Sequence, residues 1–390
     1  MKTPIYMDYA AATPVDEQVI DKMAACLRLG YGNPASTAHQ FGLDAASLVE
    51  TAREQVAGLI NASATEMVFT SGATESDNLA LIGAARFLSR TGQHIVTVVT
   101  EHPAVLDACR YLETQGFRLT YLKPDANGII DPAAVQAALE PDTLLVSVMH
   151  VNNVVGVRQD VTAIGGICRE ADILFHVDAA QSAGRLPIDV QAQAIDLLSL
   201  SAQKLYGPKG AGALYLNHQR MRRIEPLFHG GGQERGIRPG TVATHQAAGM
   251  GLACEIARSR MESDVPRIER LRERLWSGLK KLPGVLLNGH PTQRVCHILS
   301  VSVTGVEGES LHYGLCDLAV SAGSACATES DEPSFVLRSL GRSDELARST
   351  VRFSLGRETT ADEVDFAIAH FSELVARLRK LSPTSMVQWA

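Results

Sequence analysis

Basic residues are the minority charge in this 390-residue chain, 36 against 43 acidic ones, and the formal net charge is −7. That deficit removes the broad positive field with which proteins gather on nucleic acid or anionic membrane. No apolar run approaches the roughly 18 residues of a membrane span. The opening Met1-Lys2-Thr3-Pro4 leads into Asp8 rather than into an apolar signal core, so the expected compartment is the cytoplasm. Cysteine is sparse: seven residues (26, 109, 168, 254, 296, 316 and 326), an odd number, with no C-x-x-C. A disulfide framework and a structural zinc site are therefore not expected, and no metal ligands are assigned. Lysine is scarcest among the basic residues, with eight: 2, 22, 123, 204, 209, 280, 281 and 380.

The rest of the composition, 45% hydrophobic and 20% charged, is that of a globular protein with one large or two ordinary domains. From about residue 65 to 217, strand-like runs alternate with helical ones. Met67–Thr70, Ile95–Val99, Arg118–Leu122, Leu144–Met149, Ile173–Val177, Ile195–Leu200 and Ala211–Leu216 read as strands. Helices are expected at Thr74–Arg90, Pro103–Thr114, after Asp131-Pro132 and near 161–170. Apolar strands separated by helices imply a parallel-type α/β sheet covered on both faces, with ligands beyond the carboxyl ends of the strands. A glycine-rich segment, His229–Gly236, breaks the pattern. A long helix over about 243–281, interrupted near Pro266, and a smaller α+β unit over about 284–380 follow.

Among the eight lysines, Lys209 is the one competitor to Lys204, and the other six suit a solvated surface. Lys204 does not: it follows the apolar run Ile195–Ala202 and precedes Gly207-Pro208, where a buried strand opens into a tight loop. Burial there lowers the pKa of an amine and makes it nucleophilic, which is what a Schiff-base lysine needs. A pyridoxal-phosphate ring also needs a carboxylate for its nitrogen, and Asp178 ends the strand 173–177. Its phosphate needs a helix N-terminus, and Ser71-Gly72-Ala73-Thr74 opens one. Thr74, Ser201 and Gln203 offer donors. His102, Gln181 and Asn153 lie just past other strands. Taken singly, each has an ordinary structural reading, such as a helix cap for Asp178. Their shared placement at strand ends is what points to a site. Cys326 stands apart from the other cysteines, which read as small buried hydrophobes, Cys316 included. Its surroundings, Ser321–Ser330, are small and polar, as a loop bearing a reactive thiol requires.

These stretches together resemble the cysteine desulfurases of the IscS/NifS type, in the class V aminotransferase group. The matching motifs are Met7–Pro14, Gly32–Ser36, Phe69–Asn78, Thr100–His102, His150–Asn153, His176–Ser182, Lys204–Gly210, His229–Gly236, Arg238–Thr241, Ser321–Cys326 and Arg352–Arg357. They span nearly the whole chain. The resemblance implies a fold type I architecture: a large domain, 15–260, with a mostly parallel seven-stranded sheet, and a small domain of 1–14 and 261–390 carrying a cysteine loop at about 321–334. It implies pyridoxal 5'-phosphate bound covalently to Lys204, with Asp178 on the ring nitrogen, His102 stacked on the ring and Gln181 at the phenolic oxygen. Ala73, Thr74, Ser201 and Gln203 hold the phosphate. Thr241 reaches the phosphate of a neighbouring subunit, so a homodimer is implied. Asn153 and Arg352 hold the substrate carboxylate. Sulfur leaves L-cysteine, L-alanine is released, and Cys326 carries a persulfide to a sulfur-acceptor protein.

The chain departs from that pattern in places. Gln203 stands where many relatives carry histidine, Val154-Val155 replaces a common Glu-Ile, and Pro239 replaces a small residue. The sequence ends at Ala390, short of the longer tail that housekeeping iron–sulfur members use to dock a scaffold. Iron–sulfur cluster assembly, tRNA thiolation and DNA phosphorothioation thus all stay open as destinations for the sulfur. Two other readings compete: an aminotransferase or selenocysteine lyase on the same fold, and a catalytically silent platform. Cys326 argues against the plain aminotransferase. Lys204, Asp178 and His102 argue against the platform.

Overall fold

In the computed structural model, which describes residues 3–322 and 332–381, the chain builds two main sheets bridged by one long helix, with a separate two-stranded pair beside the smaller. The larger sheet has seven strands in the order Met67–Thr70, Gly212–Leu216, Leu197–Ser201, Leu174–Asp178, Thr143–Ser147, His94–Val98 and Arg118–Leu122. Only Gly212–Leu216 runs against the others: its pairings with Leu197–Ser201 and with Met67–Thr70 are both antiparallel, and every other pairing is parallel. The physical reason is the short stretch between Ser201 and Gly212, which holds no crossover helix such as a parallel return requires. That same stretch holds Lys204, in a 3-10 turn directly after the strand. The reversal therefore fixes the lysine at the carboxyl edge of the sheet.

Alternation along the strands sorts the two faces. Met67, Phe69, Val96, Val98, Phe175, Val177, Leu198 and Leu200 pack toward the helices Gln40–Leu59, Val161–Glu170 and the first half of Thr244–Leu279. Val68, Ile95, Leu145, Leu174, Leu197 and Leu214 face the helical run 73–88 and the helix Pro103–Thr114. On this second face the apolar row gives way toward the carboxyl ends. The next residues in register are Thr97, Ser147, His176 and Ser199, all fully buried. Asp77, also fully buried, comes down on them from the helix Ala73–Asn78.

The smaller sheet is antiparallel, in the order Ser321–Ala322, Thr350–Ser354, Ile298–Val303, Val285–Leu287. Its core adds the helix Ala361–Leu381 and the second half of Thr244–Leu279. Ile5–Tyr6 pairs in parallel with Leu318–Ala319, which draws the N-terminal segment onto this unit. The expected break at Pro266 is absent. The helix continues from Thr244 to Leu279 with Pro266 inside it. Pro266 and Glu262, whose carbonyl loses its amide partner, are both on the exposed side, where solvent can reach the group the proline leaves unpaired. Cys316 is likewise exposed rather than buried. It falls past the end of the helix Gly308–Gly314, in the turn before the next strand, so no apolar face encloses it.

One buried ion pair ties the glycine-rich segment to the sheet. Arg53 on the helix Gln40–Leu59 donates to both oxygens of Glu234, at 2.7 and 2.8 Å, and to the carbonyl of Met67. Glu234 also accepts from the amide of Phe69 at 2.7 Å. Removing one partner of such a pair leaves a buried, uncompensated charge, so Glu234→Ala is expected to lower the unfolding free energy by about 3–5 kcal/mol, read from denaturant melts.

Candidate active site

A cavity of about 370 Å³ opens where the carboxyl ends of the central strands meet the smaller unit. Its lining brings together Ala73, Thr74, His102, Asn153, Asp178, Gln181, Ser201, Gln203, Lys204 and Arg352. These come from six separate stretches of sequence. Thr241 is not among them. It is exposed and lines an adjoining hollow that shares Ser71, Gly210 and Ala211 with the cavity wall. Cys326 lies outside the described residues.

Asp178 ends its strand almost completely buried, 6% exposed. One of its oxygens accepts from the amide of Ala180 at 2.8 Å. Burial pushes its carboxyl up, while the nearby charges of His102 and Lys204 and the Ala180 amide pull it back. Lys204 is only half buried. Its Nζ donates to the carbonyls of Ala10, at 2.8 Å, and Ala11, at 2.5 Å. The loop around it is clamped. Thr13 bonds the Gln203 carbonyl through both its amide and its hydroxyl, and the Thr13 hydroxyl receives the Tyr206 amide at 2.8 Å. Tyr206 holds a left-handed φ of 62°, costly for a residue with a side chain. Arg357 secures it, with its guanidinium 4.1 Å over the Tyr206 ring and its amide on the hydroxyl at 2.7 Å.

His102 caps the helix Pro103–Thr114, its Nδ1 accepting from the Ala104 amide at 3.1 Å. Gln181 is held from two sides. Its Nε2 donates to the Ala10 carbonyl at 2.8 Å, and its Oε1 lies 3.3 Å from Nε2 of His297. Opposite Asp178, the helix starting at Ala73 has Gly72 as its cap residue and no side-chain cap. Its first amides are thus left for a ligand. No side chain fits at Gly212: a Cβ there would meet the Gly72 backbone at 2.5 Å. On the same helix, Glu75 accepts from Nε and Nη2 of Arg238, at 2.8 and 3.3 Å, which fixes the segment leading to Thr241.

The cavity fits pyridoxal phosphate on its own terms. It brings a buried carboxylate, a lysine and an uncapped helix start with Thr74 and Ser201 to the wall of one volume suited to a small aromatic phosphate.

Several working residues carried no signal of their own in the sequence. Ala10 and Ala11 act through backbone carbonyls, legible only as part of the motif Met7–Pro14. Asp8 pairs with Arg352 at 2.8 Å. Glu101 and Asp77 are buried carboxyls beneath the site. Glu101 accepts from the Met149 amide at 2.7 Å. Burial pushes both well above the usual carboxylate range, and the Asp178 charge adds to the shift. Asp77 is marked by being a charged residue at a buried helix position, and Glu101 by standing just after an apolar strand.

A family model described as Aminotransferase class-V matches residues 5–366. A protein of Shewanella woodyi named Cysteine desulfurase IscS is 54% identical over the full length of both chains. A solved NifS-like protein superposes with a TM-score of 0.89 at 35% identity, covering 96% of this chain and all of that one. The structure titled "SspA in complex with cysteine" gives 0.81 at 37% identity, covering 91% and 99%.

The buried histidines set an acid limit on this architecture. Burial pulls His176 down to about 3, and burial with the Arg158 charge pulls His150 down to about 4, from an ordinary 6.5. The folded state keeps both neutral while the unfolded chain takes up protons below 6.5. Their contribution is therefore complete above that pH and shrinks as pH falls toward 4 and then 3. At pH 5 each costs about 2 kcal/mol relative to pH 7.5. In urea melts, His176→Asn should be less stable than the parent at pH 7.5, with a shallower loss between pH 6.5 and 5.

Proposed function

The chain belongs to the class-V aminotransferase family, and we propose that this cavity takes the sulfur atom from L-cysteine, releases L-alanine and leaves a persulfide on Cys326. The enzyme is a pyridoxal-phosphate-dependent cysteine desulfurase. The observation that carries the reading is the convergence of Lys204, buried Asp178, His102, Arg352 and an uncapped helix start in one cavity. Bound there, pyridoxal phosphate supplies an electron sink next to the substrate Cα.

The chain's own residues do the rest. Asp178 would keep the ring nitrogen protonated, His102 would stack on the ring, and Gln181 would bond its phenolic oxygen. Ala73 through its amide, Thr74, Ser201 and Gln203 hold the phosphate. Lys204 would hold the cofactor, and its Nζ would take the Cα proton of the substrate. Asn153 and Arg352 orient the substrate carboxylate. The Cys326 thiolate attacks the substrate sulfur: the new S–S bond forms as the C–S bond breaks, and the carbon fragment leaves as alanine. An acceptor protein in iron–sulfur cluster assembly or nucleic-acid thiolation then takes the sulfur.

A homodimer completes the site, with Thr241 reaching the partner's phosphate. Support comes from the surface beside it. Thr241 shares a hollow with Leu27 and Tyr31, and Leu29 and Phe41 nearby are also exposed apolar side chains, Leu29 at 76%. The division into a large domain, 15–260, and a small one, 1–14 with 261–390, agrees with the helix Thr244–Leu279, whose two halves join different cores. Among the described residues no helix is long and apolar enough to cross a membrane. We place the enzyme in the cytoplasm because a working thiol at Cys326 requires reducing surroundings.

Purified protein should be yellow and should convert cysteine to alanine and sulfide with no keto acid added. Cys326→Ala is expected to cut sulfide release by at least about 10²-fold while leaving the cofactor spectrum intact. An unchanged rate of sulfide release would overturn the role given to Cys326. Light scattering should give twice the mass of one chain.

A further inference from the structure

The charge of Arg352 is already answered inside the chain. The side chain is 2% exposed and lines the cavity. Its Nη2 donates to Oδ1 of Asp8 at 2.8 Å and to the hydroxyl of Ser321 at 3.0 Å, and the Ser321 hydroxyl in turn donates to the same Asp8 oxygen at 3.0 Å. Nη1 donates to the Asn153 carbonyl at 2.9 Å. Nε is buried and has no hydrogen-bond partner among the described residues. The guanidinium is thus held on three sides with a donor to spare.

Asp8 is held as firmly. The Tyr6 hydroxyl donates to the carbonyls of Asp8, at 3.1 Å, and Ala12, at 2.7 Å, bracketing the turn. The Ser354 amide bonds the Met7 carbonyl at 2.7 Å, and the Ala10 amide bonds the Ser354 hydroxyl at 2.9 Å. Residues 7–10 are therefore stitched to the strand that carries Arg352, and the Asp8 carboxylate has a fixed seat beside the guanidinium.

We infer that Asp8 is a positioning residue for carboxylate recognition, an internal counter-ion that holds the Arg352 fork and limits how tightly an amino-acid carboxylate binds to it. The inference rests on Arg352 as the carboxylate-binding group. An arriving carboxylate meets an arginine whose charge is already balanced, and it must take the spare donors or share Nη2 next to a like charge. Substrate and product carry the same carboxylate, so uniformly tighter binding would lower KM without raising kcat and would slow alanine release. A resident counter-ion keeps that grip moderate.

The test compares the parent holoenzyme with Asp8→Asn, Asp8→Ala and Arg352→Gln. The probe is propionate, which has the carboxylate but no amine and so cannot bond to the cofactor. Its binding is read by calorimetry and its competition by steady-state kinetics. Asn keeps the acceptor for Arg352 and Ser321 but drops the charge. Asp8→Asn is expected to bind propionate about fivefold more tightly, the scale of a part-exposed ion pair. KM for cysteine should fall by a similar factor, with no rise in kcat. Asp8→Ala, which also loses the acceptor, should bind more weakly than Asp8→Asn. Equal or weaker propionate binding by Asp8→Asn, with binding abolished by Arg352→Gln, would overturn the inference alone. Unchanged binding by Arg352→Gln would overturn the role given to Arg352 itself. If Asp8→Asn does not fold, Asp8→Ser removes the same charge and is judged by the same criteria.

Discussion

A carboxylate at the closed end of a mostly parallel sheet is costly unless cations come to it. Asp178 imposes that condition on the rest of the cavity. The turn after its strand supplies one amide, from Ala180, and the remaining compensation has to come from other elements. His102 and Lys204 are the charges that favour the ionised form. Each stands at the end of a different element: His102 caps a helix after one strand, and Lys204 follows the strand beside Asp178. The one antiparallel strand of the larger sheet is part of the same solution. A short return through Lys204 keeps the amine at the edge where the carboxylate lies, whereas a helical crossover would separate them.

The layer beneath the site answers a second electrostatic question. His176 lies 2.9 Å from the Ser147 hydroxyl, 3.0 Å from that of Ser199 and 3.6 Å from Asp77. The last distance suits an ion pair, yet burial pushes the imidazole down and the carboxyl up. Burial thus disfavours the charge on each partner, and the contact is weaker than its distance suggests. Glu101 behaves in the same way. Ionised, Asp77 and Glu101 would repel Asp178 and raise its carboxyl further. Burial disfavours the ionised form of both, whereas Asp178 has the charges of His102 and Lys204 beside it to favour its own. The polar row Thr97, Ser147, His176 and Ser199 is therefore a support that can be buried because it carries no net charge.

The sequence was most informative where chemistry and periodicity coincide. The strand runs ending at Asp178 and before Lys204, the turn at Gly72 and the cap at His102 are each visible as an apolar run that stops at a polar residue. The resemblance joined them into one site. Two kinds of feature stayed hidden. Antiparallel pairing of Gly212–Leu216 depends on which neighbour the strand meets, and an apolar run reads the same in either direction. Continuity through Pro266 depends on Glu262 facing solvent, a tertiary fact that local helix rules do not contain. Cys316 failed as a buried residue for a related reason: it lies beyond the last helical turn, where the apolar period no longer predicts burial.

The N-terminal segment shows why a site can depend on residues with no chemical side chain. Ala10 accepts from both Gln181 and Lys204, and Ala11 accepts from Lys204. Small side chains let the backbone come this close to the amine, and any larger residue would occupy the cavity that these carbonyls border. The same segment carries Asp8 to Arg352 and Thr13 to the Lys204 loop. Amine, guanidinium and loop are thus indexed to one stretch, whose strand pairings, with Leu318–Ala319 and through Asp8 with Ser354 of the smaller sheet, all lie on the smaller unit. The relative position of the two sheets consequently fixes the spacing between the group that handles the substrate's amine and the group proposed to take its carboxylate. A change in that packing would alter both ends of the substrate site without touching a residue that contacts it.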